Sequence, residues 1–182
     1  MEILIEDIPD EGLQVTATAA THGWLERTML EVLSKEFTAK DAAELDLFCA
    51  KCDDDVDIDG NLLYTNHAVC DRCLKSYVDR NTLGIHLHLA PLRRKRGEAR
   101  GDDEIVKDDL EFSFYEGDRF DIADIVREQL LLHQPMQHVC QPACQGLCQH
   151  CGKDLNLGPC HCKPTTADAR WEPLKKLKLK KK

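Results

Sequence analysis

Between Cys140 and Cys162 the chain places six cysteines in 23 residues, Cys140, Cys144, Cys148, Cys151, Cys160 and Cys162, among Gly146, Gly152, Gly158, Pro142 and Pro159. Leu147, Leu155 and Leu157 offer too little apolar area to offset the entropy of ordering such a stretch, so something besides a hydrophobic core must fix its shape. The arrangement points to a bound metal. Cys148-Gln149-His150-Cys151 closes a tight turn that aims two thiolates at one point, and Cys160-His161-Cys162 brings a second pair after eight intervening residues. Four sulfurs at about 2.3 Å make a closed, structural zinc site with no open position for chemistry. Which four of the six bind stays open: Cys140 and Cys144 can replace one of the later pairs, and His138, His150 or His161 can complete a second site.

Disulfides are the competing use of these residues. Ten cysteines in 182 residues fall well below the density of small disulfide scaffolds, and Met1-Glu2-Ile3-Leu4-Ile5-Glu6 does not read as a signal peptide. The expectation is a reducing, cytoplasmic setting and metal-bound thiolates. No apolar run approaches the roughly 20 residues needed to cross a bilayer, which points to a soluble protein.

The net charge of −9 conceals a polarity along the chain. Residues 1–60 hold 16 acidic and 4 basic residues, whereas residues 135–182 hold 3 acidic and 9 basic. A polyanion would therefore meet the cysteine-bearing end. That end finishes in six lysines, Lys175, Lys176, Lys178, Lys180, Lys181 and Lys182, with only Leu177 and Leu179 between them. Such a tail cannot fold alone and suits phosphate contacts, although solvated and membrane-surface tails share its composition.

Earlier in the chain, Glu2–Ile8 and Val15–Ala19 alternate around a Pro9-Asp10-Glu11-Gly12 turn, which predicts a hairpin of two short strands. Trp24, Leu25, Met29, Val32, Leu33 and Phe37 lie near helical intervals, though a curled strand pair also accommodates them. Glu44–Phe48 alternates into Cys49-Ala50-Lys51-Cys52, and Leu62–Val69 runs into Cys70-Asp71-Arg72-Cys73. With Asp59-Gly60-Asn61 as the turn, Cys49, Cys52, Cys70 and Cys73 form a zinc-ribbon hairpin over 49–73, the alternative being free structural cysteines. The aspartates at 53, 54, 55, 57 and 59 resemble a calcium loop, but a loop opening at Asp55 ends on Asn66, so they read as a solvated acidic turn.

Leu83, Ile85, Leu87 and Leu89 share one face of a strong strand, with His86 and His88 on the other face as plain surface. Residues 93–103 read as a charged loop, and Leu110–Tyr115 as a strand with Leu110, Phe112 and Phe114 inward. A helix over 121–133 follows. Asp121 caps it, Ile122, Ile125, Val126 and Leu130 form its buried stripe, and Pro135 stops it. The fold class is therefore α+β: a mostly antiparallel β-rich body over 1–133 with one main amphipathic helix, then a zinc knuckle and basic tail over 134–182.

Several motifs together resemble the YceD family of bacteria and plastids. They are Val69-Cys70-Asp71-Arg72-Cys73-Leu74, Phe120-Asp121-Ile122 through Arg127-Glu128-Gln129-Leu130-Leu131-Leu132, the run Cys144-Gln145-Gly146-Leu147-Cys148-Gln149-His150-Cys151-Gly152-Lys153-Asp154-Leu155-Asn156, and Cys160-His161-Cys162 followed by Ala169-Arg170-Trp171 and Leu174. The resemblance implies a β-rich body with one main helix and a non-enzymatic factor for accumulation, processing or assembly of large-subunit (23S) ribosomal RNA. Cys49-Ala50-Lys51-Cys52 has no counterpart in the family pattern, and the six-lysine ending is unusual for it.

The expected cofactor is one or two zinc ions. The expected partner is precursor large-subunit rRNA or a large-subunit ribosomal or assembly protein, with no membrane and no small-molecule substrate. Scarce aromatics make any RNA contact led by the backbone phosphates. A zinc- or thiol-based redox or metal-sensing protein is the alternative, but redox Cys-x2-Cys motifs open a helix in a βαβ setting that is missing here. No constellation of nucleophile and base marks an enzyme.

Overall fold

The computed structural model describes residues 1–38, 41–92 and 112–162. Strand β1 (Glu2–Leu4) is followed by a 3-10 turn, β2 (Leu13–Thr18), helix α1 (Gly23–Leu33), β3 (Ala43–Cys52), β4 (Asp55–Val69), β5 (Ser76–Pro91), β6 (Phe112–Tyr115), β7 (Arg119–Asp121) and helix α2 (Ile122–His133). Five strands form one sheet in the order β2-β3-β4-β5-β6, antiparallel except where β6 runs parallel to β5. The class is α+β with a mostly antiparallel body, and the described residues carry two α-helices where the sequence points to one main helix.

Period-two patterning decides which face of the sheet is covered. Ala43, Leu45, Leu47 and Cys49 on β3, and Val56, Ile58, Leu62 and Tyr64 on β4, are buried, while Glu44, Asp46, Asp59 and Leu63 between them are exposed. Both helices lie on the apolar side. Leu25, Met29 and Leu33 of α1 join Ile122, Ile125, Val126 and Leu130 of α2 in a single core with the sheet. Asp121 caps α2, its carboxylate accepting from the Ala123 amide at 2.8 Å. Arg127 ties the helices together by reaching Glu31 at 3.2 Å.

The expected hairpin between the first two strands does not form. The chain leaves β1 after three residues through a 3-10 turn at Ile5–Asp7, and the Ile5 amide donates to Asp118. Consequently β1 pairs with β7, Ile3 opposite Phe120, and β2 pairs with β3, Val15 opposite Leu47. On β6 the parity is the reverse of the expected one: Tyr115 is buried and its hydroxyl donates to the Asp54 carbonyl, whereas Phe114 is exposed. Leu110 and the charged loop 93–103 lie outside the described residues.

The turn joining β3 and β4 settles the placement of the cysteines. It falls at Asp53-Asp54, with Asp53 at φ 56° and Cys52 opposite Asp55, and not at Asp59-Gly60-Asn61. An aspartate tolerates that left-handed backbone in a two-residue hairpin. Gly60 sits mid-strand opposite Leu47, where a Cβ would lie 2.1 Å from the Asp46 carbonyl oxygen. Its missing side chain serves close backbone approach.

Candidate metal centre

Because the hairpin turns at Asp53-Asp54, the expected ribbon of Cys49, Cys52, Cys70 and Cys73 is not assembled. Cys49 pairs with Ile58 and is fully buried in the main core, and Cys52 is exposed beside the turn. Cys70 follows the far end of β4, roughly 50 Å of extended strand from Cys52. Burial pushes the Cys49 thiol up to about 11. It behaves as a small apolar core residue.

At that far end the β4–β5 connection, Cys70 to Lys75, forms a tight knuckle. The Cys70 amide donates to the Lys75 carbonyl at 3.0 Å, the Leu74 amide returns to the Cys70 carbonyl at 2.8 Å, and Leu74 takes φ 58°. The chain leaving α2 docks on this knuckle. Asp71 and His138 exchange two hydrogen bonds: the Asp71 amide donates to the His138 carbonyl at 2.8 Å, and the His138 amide donates to the Asp71 carboxylate at 2.7 Å. Arg72 Nη1 donates to the Cys144 carbonyl at 3.1 Å, and the Leu147 amide donates to the Arg72 carbonyl at 3.1 Å. Gly146, at φ 73°, is required here because a Cβ would lie 2.9 Å from that same carbonyl.

This docking brings Cys140 and Cys144 to Cys70 and Cys73. The sulfurs of Cys70 and Cys144 are 3.8 Å apart, those of Cys73 and Cys140 are 3.7 Å apart, and all four lie within 4.8 Å of one another. A tetrahedron with metal–sulfur bonds of 2.3 Å has edges of about 3.8 Å. Tyr77, Val139 and Leu147 pack around the cluster and make a small core separate from the main one. A second cluster follows at once. Cys148, Cys151, Cys160 and Cys162 also place all their sulfurs within 4.8 Å of one another, with Cys148 and Cys160 at 3.3 Å, and Cys151 is exposed. All ten cysteines are free thiols, and either cluster can hold a metal ion.

The thiols within each cluster are unequal. Burial acts to raise Cys70, but the amides of Cys140, Cys73 and Arg72 point at its sulfur and outweigh that effect, bringing it down to about 6. The amides of Cys151 and His150, with the Cys160 thiol, likewise lower Cys148 to about 6. Cys140 is pushed up to about 12 by burial and by its sulfur neighbours, and Cys162 to about 12 by the Cys151 thiol and burial. Each cluster thus sets one sulfur that favours the thiolate, Cys70 or Cys148, beside one that disfavours it, Cys140 or Cys162. Backbone amides aimed at the first sulfur of a Cys-x2-Cys turn are also what a four-thiolate zinc site needs.

His138, His150 and His161 belong to neither cluster. The other candidate ligands pair elsewhere: across the open sheet face, His86 Nδ1 meets Asp59 at 2.7 Å and His88 meets both Asp55 and Asp57. The acidic segment thereby holds the two histidines of β5 through side-chain contacts across the strand pair. Lys175, Lys176, Lys178, Lys180, Lys181 and Lys182 lie outside the described residues. No described helix is long and apolar enough to cross a membrane.

A signal for the observed grouping was present in the chain. Once Cys49 and Cys52 are set aside, Cys70-x2-Cys73 is a complete knuckle without a partner, and Cys140-x3-Cys144 is the pair left over once Cys148, Cys151, Cys160 and Cys162 are grouped. No curated protein and no solved structure matches this chain. The family model described as large ribosomal RNA subunit accumulation protein YceD matches residues 58–178, which include all eight clustered cysteines and exclude Cys49 and Cys52. With more than half its length so matched, the chain belongs to the YceD family.

Proposed function

We propose that this protein is a non-catalytic factor for the accumulation of large-subunit ribosomal RNA, acting in processing or assembly of its precursor, with two structural zinc sites. Cys70, Cys73, Cys140 and Cys144 hold one ion, and Cys148, Cys151, Cys160 and Cys162 hold the other. One observation carries this reading: both four-sulfur clusters fall within the stretch matched to the family. Bound zinc would supply a covalent-like crosslink where apolar packing is thin, and closed four-thiolate coordination leaves no open position for a substrate.

In this reading the body over 1–133 carries the knuckle of Cys70 and Cys73, and the segment from 134 onward is bolted to it. Lys175 to Lys182 give the cysteine-bearing end its attraction for precursor rRNA, while the acidic N-terminal half turns away from phosphate and orients the encounter. A large-subunit ribosomal or assembly protein is the alternative direct partner, and the cytoplasm is the proposed setting. The test is to replace the chain in its host by Cys70→Ser and measure mature large-subunit rRNA, with crosslinking to identify bound RNA. A fall in that RNA together with recovery of precursor fragments supports the proposal. Unchanged RNA levels overturn it.

A further inference from the structure

We infer that Asn156 couples the two cysteine clusters, so that filling one raises the metal affinity of the other; this rests on the zinc reading above. Asn156 lies in the 3-10 turn Leu155–Leu157, inside the loop between Cys151 and Cys160 of the second cluster. Its side chain leaves that loop. Nδ2 donates to the Cys144 sulfur of the first cluster at 3.4 Å, and Oδ1 accepts from the Gln145 amide at 2.9 Å. The remaining Nδ2 hydrogen goes to the Asp154 carboxylate at 2.7 Å, which also accepts the Asn156 amide at 2.9 Å. Every polar atom of the side chain is therefore committed, and one commitment is to a ligand sulfur belonging to the other cluster.

The backbone carries the same link. The Leu155 amide donates to the Gly146 carbonyl at 2.9 Å, the Cys148 amide to the Lys153 carbonyl at 2.8 Å, and Leu147 bridges Asp154. The strip Cys144–Cys148 is thus held on one edge by Arg72 of the first cluster's knuckle and on the other by the second cluster's loop. Apolar burial does not hold that loop, since Leu157 is 82% exposed and no residue from 152 to 159 joins either core. Its shape depends on Cys151 and Cys160 being fixed at its ends. A metal held by the second cluster sets the loop, the loop presents Asn156 to Cys144, and the N–H···S hydrogen bond orients and holds that ligand sulfur for the first cluster's metal. By linkage, the first cluster returns the same factor to the second.

Asparagine is specific to this role. Aspartate keeps its shape and the acceptor for Gln145 but removes both donors and faces the thiolate with a negative charge. The test is anaerobic Co2+ titration of the metal-stripped full chain, read by sulfur-to-cobalt charge-transfer absorption and by native mass spectrometry. At one equivalent, wild type should hold less than the roughly one-half share of one-metal species that two equal, independent sites would give. Asn156→Asp should weaken the first cluster by about 10-fold or more and restore the one-metal species. Cys160→Ser/Cys162→Ser should weaken the first cluster by a similar factor, and combining these changes with Asn156→Asp should add little, because both break one link. A merely structural loop cap would leave the first cluster's affinity unmoved. Independent filling by wild type, or full additivity of the variants, overturns the coupling while leaving two metal sites standing. A chain that binds no cobalt removes the zinc reading itself, and the coupling with it.

Discussion

Cys73 and Cys140 stand 67 positions apart in the chain, yet their sulfurs lie 3.7 Å from each other. One residue sits in the turn of the β4–β5 hairpin and the other opens the cysteine-rich segment, so the first cluster joins two parts of the molecule that the main core does not connect. Removing one of its ligands should therefore release the segment from the body. Cys140→Ser is expected to cost on the order of 4 kcal/mol, the scale associated with losing a metal site. Thermal unfolding followed by circular dichroism, with proteolysis to locate cleavage near residue 134, checks this. Cys162→Ser, within the local second cluster, should unfold only the stretch around it and lower the first cluster's metal affinity without releasing the segment from the body. Equal global losses in both variants would contradict the division of labour.

Cys49 and Cys52 should prove dispensable for metal. Cys49→Ser places a hydroxyl in a fully buried position among apolar neighbours and should cost about 1–3 kcal/mol. Cys52→Ser, at an exposed position, should stay within about 0.5 kcal/mol of wild type. In the folded protein at neutral pH, Cys49 should resist thiol reagents, since burial holds its thiol near 11. Denaturant titration and mass-spectrometric labelling measure both effects.

Much of the architecture was legible because the patterns were strong. Ile122, Ile125, Val126 and Leu130 with the Asp121 cap gave α2, and the Leu83 to Leu89 alternation gave β5, which extends over Ser76–Pro91. The failures have one physical origin. Asp59-Gly60-Asn61 carries strong local turn chemistry, but the sheet uses Gly60 for close approach to Asp46 and turns at Asp53-Asp54. That shift of six residues moved Cys49 and Cys52 away from Cys70 and Cys73. The pairing of Cys70 and Cys73 with Cys140 and Cys144 is a long-range contact, and local periodicity carries no information about which knuckle faces which. The second cluster was readable because its four ligands fall within 15 residues.

The Asp121 cap gives an acid-side prediction. Burial acts to raise its carboxyl, but the N-terminal ammonium at 2.7 Å and the Ala123 amide outweigh that and hold it below the usual carboxylate range. Its contribution is therefore full above the ordinary value of 3.8 and is lost as pH falls through the lower folded value. Asp121→Ala should cost about 1 kcal/mol at neutral pH and flatten the stability profile below about pH 4. Chemical denaturation from pH 2 to 7 on both proteins reads the difference.

The lysine tail should act through phosphate alone. Deleting residues 175–182 should weaken binding to every precursor fragment alike and reduce the slope of log affinity against log salt, by about 0.7 for each single-strand phosphate that the tail no longer neutralises. Binding over a salt series with full-length and shortened chains measures it. Equal slopes would make a ribosomal or assembly protein, in place of RNA, the direct partner.

The two-site assignment rests on eight sulfurs in two groups of four. Elemental analysis with native mass spectrometry, on protein purified without oxidation, is the decisive measurement. Two zinc ions per chain are expected, two still in Cys49→Ala/Cys52→Ser, and no more than one in Cys70→Ser. One or no zinc in the wild type, or loss of an ion when Cys49 and Cys52 are replaced, would refute the assignment.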